Sequence, residues 1–463
     1  MHQTKMPLSA FLVAAAIMLA AANPALADGT EVDALSARVG QLENLVEQLL
    51  KERDQTQREL YTLKEENRRQ AATVGEMDAR LQTASESAKE AMSKVASAPK
   101  DDAPGNSYVF GGYVKTDAIY SDYSDGDLPS TSLGRDFYVP GLVPVGGQGE
   151  STDFDSHARE TRLFFRNEHK LANGDTLKGY VELDFLVTTE GNERVSNSYV
   201  PRMRHAYLST SKWLIGQTWS TFQNVGALPD NLDFVGPAEG TVFERQPMLR
   251  YSTGPWQFAL ENRETTLTPF GGGARITTDD GGLPDIVARY TRSGDWGNLV
   301  VAGIYRELNF EDPGLGIDDS ESAFGLSASG KLRVGDRDDF RWMVSTGSGM
   351  GRYMGLNTAN GAVIDANGEL EAIDSTGAFA SYRHFWNSRW RSNLTLSFLD
   401  IDNNEALTGS SVTDESLSVH LNLIYQARPK LEIGVELLHA ERQLVSGADG
   451  NLDRLQFSTK YSF

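Results

Sequence analysis

The chain closes on the stretch Leu452-Asp-Arg-Leu-Gln-Phe-Ser-Thr-Lys-Tyr-Ser-Phe463. Apolar and polar residues alternate along it, with Leu455, Phe457, Tyr461 and Phe463 on one face and Arg454, Gln456, Ser458, Lys460 and Ser462 on the other. A period of two with unlike faces predicts a strand between two different solvents. An aromatic last residue fits the closing strand of an outer-membrane β-barrel. In that arrangement Arg454 and Lys460 would face the lumen and Phe463 the lipid.

The first 27 residues have the layout of a secretory signal peptide. Lys5 precedes an apolar run over 7–22, and Ala25-Leu26-Ala27 forms an A-x-A cleavage site. The mean hydropathy of the chain is -0.39, and no later segment is long and apolar enough for a helical span. Only a closed barrel could therefore carry so polar a chain across a membrane. The absence of cysteine is compatible with export and does not prove it.

The formal net charge is -21. Nucleic acid is therefore not an expected partner, because phosphate binding requires a basic surface.

Residues 28–95 show the alternating three and four spacing of a heptad repeat. Val32, Val39 and Val46 occupy a positions, and Leu35, Leu42 and Leu49 occupy d positions. This pattern predicts a coiled coil, for which valine at a and leucine at d favour two strands. The alternative is one amphipathic helix packed on a domain. Residues 96–106 contain two prolines and a glycine and are predicted to be a linker that ends the helix.

Residues 107–463 show about sixteen short alternating segments and no convincing helix. The predicted strands cover 108–119, 158–171, 175–188, 202–210, 213–220, 242–252, 256–263, 285–293, 296–307, 321–334, 339–349, 376–386, 389–400, 415–426, 430–443 and 452–463. Short connections such as 173–174 and 387–388 alternate with long ones such as 120–157, 308–320 and 444–451. Short periplasmic turns and long outer loops predict an all-β transmembrane fold, a sixteen-stranded antiparallel up-and-down barrel. An even strand number also leaves both barrel ends in the periplasm, where the coiled coil would project.

Five of the seven tryptophans lie beside the predicted short turns: Trp213, Trp256, Trp296, Trp386 and Trp390. Indole rings favour the membrane interface, so these residues predict a ring on the periplasmic side.

Arginines recur on the predicted strands, and lipid would disfavour them at mid-bilayer. The candidate lumen and selectivity residues are Arg162, Arg166, Arg204, Arg245, Arg250, Arg289 and Arg383. Acids instead concentrate in the long loops, so an arginine-lined pore that favours anions is predicted. The alternative is that each arginine pairs with a nearby carboxylate and leaves a neutral lumen.

The third long loop, 222–240, carries Asp230, Asp233 and Glu239 among glycine, proline and apolar residues. A sixteen-stranded barrel encloses a wide channel, and an inward fold of this loop would constrict it. Its acids would then face wall arginines across the pore. A position on the rim is the alternative.

Patterns typical of enzymes are incomplete. Gly325 to Leu332 lacks the Ser/Thr of a P-loop and precedes no helix, and the seven histidines show no metal-ligand spacing. No catalytic residue, cofactor or metal is therefore predicted.

Four motifs resemble those of the DcaP-like porins of Gram-negative bacteria: Phe110-Gly-Gly-Tyr-Val-Lys-Thr-Asp117, Asp136-Phe-Tyr-Val-Pro140, Ala158-Arg-Glu-Thr-Arg-Leu-Phe-Phe-Arg166 and Gly216-Gln-Thr-Trp-Ser-Thr-Phe222. The order of signal peptide, coiled coil, linker and barrel is also similar. The resemblance implies an outer-membrane homotrimer of barrels with periplasmic coiled coils, which takes up small anions such as dicarboxylates. Lipid, these solutes and peptidoglycan are the expected partners. A second hypothesis is a structural tether or adhesin that links the outer membrane to the cell wall through the coiled coil.

Overall fold

The structure is a computed structural model that describes residues 106–187, 191–192 and 196–463, together with Lys51 and Lys64. The predicted signal peptide and the predicted linker up to residue 105 lie outside the described residues, as does the predicted coiled coil apart from the two lysines. Among the described residues, no helix is long and apolar enough to cross a membrane.

The described residues form 23 strands. They are β1 (Asn106–Tyr123), β2 (Ser151–His157), β3 (Arg162–Lys170), β4 (Thr176–Asp184), β5 (Gly191–Asn192), β6 (Ser198–Tyr199), β7 (Arg202–Ser209), β8 (Trp213–Trp219), β9 (Arg245–Thr253), β10 (Trp256–Glu261), β11 (Thr265–Thr268), β12 (Ile276–Thr278), β13 (Asp285–Gly294), β14 (Gly297–Asp312), β15 (Ile317–Val334), β16 (Asp338–Ser348), β17 (Ala362–Ile364), β18 (Leu370–Ala372), β19 (Asp374–Phe385), β20 (Trp390–Asp402), β21 (Thr413–Arg428), β22 (Leu431–Leu444) and β23 (Asp449–Ser462). Two one-turn helices, α1 (Leu133–Asp136) and α2 (Glu405–Thr408), and 3-10 turns at Pro140–Leu142, Val225–Ala227 and Gly351–Tyr353 lie in the connections.

Seventeen of these strands form one antiparallel sheet. β3 pairs with the first half of β1 and β2 with its second half, so β2 and β3 share one position and the sheet has sixteen positions. β1 also pairs with β23, from Tyr113 opposite Ser462 to Tyr123 opposite Leu452, which closes the sheet. The predicted sixteen-stranded antiparallel barrel is confirmed.

The barrel strands turn their apolar side chains outward. On β20, Leu394, Leu396 and Phe398 are about half exposed, whereas Asn393 and Thr395 are buried on the inner face. This arrangement is inverted relative to a water-soluble domain, because lipid surrounds the outside of a membrane barrel. The five tryptophans beside the short turns are also exposed, and rings of Trp213 and Tyr251, Trp256 and Tyr290, and Trp390 and Tyr425 lie side by side.

Two of the predicted long outer loops are wrong. β14 continues to Asp312 and β15 begins at Ile317, so a turn over 313–316 replaces the predicted loop 308–320. Likewise, residues 445–448 replace the predicted loop 444–451. At the first hairpin, Leu308 and Phe310 pack against Leu267 of another connection, which stabilises the longer strands.

Several outer connections fold together. β11 and β12 of one connection and β17 and β18 of another form a separate four-stranded sheet. The connections also bring apolar side chains against the polar inner wall. One buried cluster contains Phe222, Tyr353 and Phe379, and a second contains Tyr138, Val235 and Leu438. The apolar clusters of this barrel therefore form where its connections pack against inward apolar residues of the strands.

Candidate functional site

The connection between β8 and β9, residues 220–244, crosses the interior of the barrel and is called the inner segment. Cationic side chains on the inner wall donate hydrogen bonds to its backbone carbonyls: Arg289 to Gln223 (2.7 Å), Arg341 to Leu228, and Lys115 to Leu232 (2.7 Å). These donors belong to β13, β16 and β1. Because strands at separate positions around the barrel bind one segment, the segment must run through the lumen.

The backbone of the inner segment lies directly against β19. A Cβ atom added to Gly240 would meet the carbonyl carbon of Ala378 at 2.2 Å, and one added to Gly377 would meet the Glu239 carbonyl oxygen at 2.5 Å. Only glycine permits so close an approach of two backbones.

The three acids predicted on this loop all bind the barrel wall or a neighbouring connection. Asp230 accepts hydrogen bonds from Arg391 (2.6 Å) and Arg383 (3.4 Å). Burial disfavours its ionisation, but these guanidiniums outweigh that effect and hold the pKa of Asp230 below its usual range. Asp230 is therefore a charged anchor.

Asp233 and Glu239 are buried in hydrogen bonds. Asp233 accepts from the backbone N–H of Tyr138 (2.8 Å), and Glu239 accepts from the hydroxyls of Tyr138 (2.6 Å) and Ser418 (2.9 Å). Burial raises the pKa of Glu239, and the hydrogen bonds offset this only in part. Neither carboxylate is accessible to a solute in the lumen, because both side chains lie below one tenth exposure.

The inner segment covers one side of the lumen, the middle part of the inner faces of β20 to β23, called the covered wall. The inward side chains of this part are at most 4% exposed and are mostly neutral: Asn393, Thr395, Ser397, Ser418, His420, Asn422, Glu436 and Gln456. They bind the segment directly. Ser397 accepts from the N–H of Gly240 (3.0 Å), and Asn422 donates to the carbonyl of Asp230 (2.8 Å). Charged side chains of the same strands flank the covered wall, with Arg391 and Glu432 on one side and Arg442 and Arg454 on the other.

The inner faces of β3, β4 and β7 are less covered and are called the open wall. The side chains of Arg166 and Lys178 are 44% and 48% exposed there. Tyr180 stacks on Phe164 and Tyr207, with ring centroids 5.7 and 5.4 Å apart. The open wall therefore presents cations beside aromatic faces to the lumen.

Arginines and acids form a compact cluster at the outer end of the open wall. Arg204 binds Glu182 and Asp184, each at 2.8 Å, and Arg202 binds Asp184 at 2.7 Å. Arg162 lies 3.5 Å from Glu182. Three guanidiniums thus share two carboxylates.

Arg245 adds a fourth guanidinium to this cluster. It lies over the rings of Trp219 and Phe243, 4.5 and 5.3 Å from their centroids. Among the described residues no carboxylate lies within 4 Å of it, and its Nη1 atom is buried without a hydrogen-bond partner. Four arginines against two acids leave this side of the lumen with a surplus of about two positive charges at neutral pH.

A β-bulge decides the direction of Arg204. Glu182 pairs with His205 and Leu183 with Met203, so Arg204 is the extra residue on β7. A bulge redirects a side chain relative to the regular alternation. As a result, the neighbours Arg204 and His205 are both buried on the inner side. Sequence periodicity alone does not show this.

The structure divides the seven predicted arginines into two sets. Arg162, Arg166, Arg204 and Arg245 lie along the open wall or at its outer end. Arg250 donates to Thr221 (2.8 Å), Arg289 binds Gln223, and Arg383 binds Asp230, so these three hold the inner segment.

Sequence reasoning did not single out several residues of the site: Lys115, Tyr138, Arg391, His420 and Glu436. His420 and Glu436 stand at polar positions of alternating strands, which is the available signal for an inward side chain. The alternation does not show which residues His420 and Glu436 bind. Among the described residues, no group of three or more His, Asp or Glu side chains is arranged to hold a metal ion.

The chain is similar to solved structures of outer-membrane proteins. The crystal structure of the outer membrane channel DcaP of Acinetobacter baumannii matches with a TM-score of 0.64 at 21% identity, over 78% of this chain and 98% of that one. Salmonella typhi OmpF in complex with daunomycin gives 0.47 at 10% identity, over 78% and 98%. A loop L8 deletion mutant of OmpT, an outer membrane protein of Vibrio cholerae, gives 0.46 at 10%, over 78% and 100%.

No curated protein sequence matches the chain. The sequence profile of the DcaP outer membrane protein family matches residues 143–463, which is more than half of the chain. With the closed barrel and the inner segment, this match confirms the predicted family. The chain belongs to the DcaP outer membrane protein family.

Proposed function

We propose that the protein is an outer-membrane porin that passes small anions, such as dicarboxylates, along the open wall. The observation that carries the proposal is the cluster of four arginines and two carboxylates beside the uncovered part of the lumen. Surplus positive charge in a narrow water-filled passage lowers the barrier for anions and raises it for cations.

The covered wall supports the same assignment by contrast. Its inward side chains are mostly neutral and are buried against the inner segment, so a solute cannot reach them. The inner segment leaves the arginine-rich side of the lumen less covered. The solute class and assembly as a homotrimer follow from the resemblance to DcaP-like porins and form part of the proposal.

The test is the reversal potential of single channels in a salt gradient. The wild type is expected to favour anions. Arg245→Gln should lower the anion-to-cation permeability ratio by about two-fold, because it removes a cation without a carboxylate partner. Arg292→Gln is the matched control: this arginine is exposed and lies on the same outward face of β13 as Ile286.

A preference for cations in the wild type would contradict the proposal. A barrel that carries no current would favour the tether hypothesis instead. Equal shifts in Arg245→Gln and Arg292→Gln would show that total charge, and not the open wall, sets the selectivity.

A further inference from the structure

We propose that Glu436, on β22, is a positioning residue that holds the inner segment on the covered wall and thereby sets the cross-section left for solutes. The inference rests on the proposed function, since it concerns the size of a conducting passage.

Glu436 binds two consecutive backbone N–H groups at the centre of the inner segment. One carboxylate oxygen accepts from Leu232 (2.7 Å) and the other from Asp233 (3.2 Å). The residue is 2% exposed. Hydrogen bonds to an ionised acceptor are roughly twice as strong as neutral ones, and water does not compete at a buried site.

Other wall residues complete the coordination of this carboxylate. Asn422 donates to Glu436 at 2.9 Å, and His420 Nδ1 lies 3.2 Å from it. Among the described residues, no lysine or arginine lies within 4 Å of Glu436. Its charge is therefore stabilised mainly by N–H donors, two of which belong to the inner segment itself.

Glu436 belongs to a ring of buried side chains that are linked by hydrogen bonds. His420 Nε2 lies 3.5 Å from the Ser418 hydroxyl, which donates to Glu239. The Tyr138 hydroxyl donates to Glu239, and the Tyr138 backbone N–H donates to Asp233. The backbone N–H of Asp233 in turn donates to Glu436, which completes the ring. Wall, inner segment and the first outer connection are thus joined through one set of side chains.

The position of the segment matters because of what lies on its other side. Phe234 of the segment faces the open wall, where the Arg204 guanidinium lies 5.5 Å from its ring centroid. The covered wall and β19 are already in contact with the segment. Because Phe234 already lies against the arginines, a segment displaced from the covered wall moves further into the space along the open wall and narrows the passage.

The experiment compares Glu436→Gln with Glu441→Gln in single-channel recordings of the full chain. In Glu436→Gln an NH2 group replaces one oxygen and meets a backbone N–H of the segment, so donor faces donor. The unit conductance should fall by about half, with added brief closures. Glu441 lies on the same strand but is exposed, and its replacement should leave the conductance as in the wild type.

Unit conductance separates positioning from folding, because a poorly folding variant yields fewer channels and not smaller ones. Tyr138→Phe provides a second measurement. It removes the hydroxyl bond to Glu239 from a connection outside the barrel strands and should lower the unit conductance less than Glu436→Gln does.

An unchanged or higher unit conductance in Glu436→Gln overturns the inference. If Glu436→Gln yields no folded barrel, an unchanged Tyr138→Phe channel overturns it. A wild type without current overturns the proposed function as well, whereas an unchanged variant of a conducting wild type overturns this inference alone.

Discussion

The covered wall and the open wall are built from the same alternating strands, yet they differ in charge and access. Ser418, His420 and Asn422 on β21 are no more than 3% exposed and bind the inner segment or each other. Lys178 and Tyr180 on β4 face the lumen in the same period of two, and the Lys178 side chain is 48% exposed. The polar face of the covered wall is therefore occupied by contacts within the protein, while that of the open wall remains available to a solute.

This difference shows that inward orientation alone does not identify a selectivity residue. Arg289 and Arg383 face inward as Arg162 does, but they bind the inner segment. An arginine is expected to influence permeation when it faces inward and does not bind the inner segment. Three predictions test this distinction.

The largest effect is expected for Arg204→Ala. The substitution leaves Glu182 and Asp184 buried with one fewer cation, and breaking a buried ion pair in this way costs about 3–5 kcal/mol. The free energy of unfolding in denaturant, measured in lipid vesicles, should fall accordingly. Arg204→Lys, which retains the charge, should lose less. A loss below about 1 kcal/mol in Arg204→Ala would show that the cluster is solvated and not buried.

A smaller effect is expected from the titration of Glu244, which immediately precedes Arg245. Burial raises its pKa to about 7, against the opposing influence of Arg352 and Arg245. Between pH 4.5 and about 7 the Glu244 carboxyl is therefore protonated in the folded protein but ionised in the unfolded chain. The free energy of unfolding falls as pH rises through this range. Because the carboxylate becomes neutral on acidification, anion preference should increase from pH 8 to pH 6.

Reversal potentials at several pH values check this prediction. Glu244→Gln should remove the pH-dependent increase and fix the higher preference at pH 8. A variant that keeps the full pH dependence would assign the titration to another group.

The smallest effect is expected for Arg166→Gln. Its side chain is 44% exposed, and it lies 3.6 Å from Glu168, which is itself 31% exposed. An exposed ion pair of this kind contributes about 0–1 kcal/mol, so the free energy of unfolding should hardly change. Any shift in reversal potential should disappear at 1 M salt, where the screening length is about 3 Å. A shift as large as that of Arg245→Gln would mean that exposure does not weaken the influence of a lumen charge.

The barrel was accessible to sequence reasoning because its signal is local. Leu394, Leu396 and Phe398 alternate with polar residues within one strand, and the barrel requires the same pattern in every strand. The signal weakened where loops pack together. Leu308 and Phe310 continue their strand only because Leu267 of a separate connection covers them.

The candidate site was less predictable. The composition of loop 222–240 allowed both an inward fold and a position on the rim. The carbonyl contacts of Lys115, Arg289 and Arg341 decide this, and each of those residues lies on a different strand. The alternation that predicts an inward Arg162 does not predict that Arg204 and its neighbour His205 both face inward, since the bulge depends on the pairing of β7 with β4.

By itself, the sequence determined the strand number, the inward polar face and the family, because a period of two and short motifs are read from neighbouring residues. Only the tertiary structure decided which part of that polar face stays open. The contacts that cover the rest join residues about two hundred positions apart, as in Leu232 with Glu436. Such contacts depend on the closed barrel that brings them together, and no local pattern encodes them.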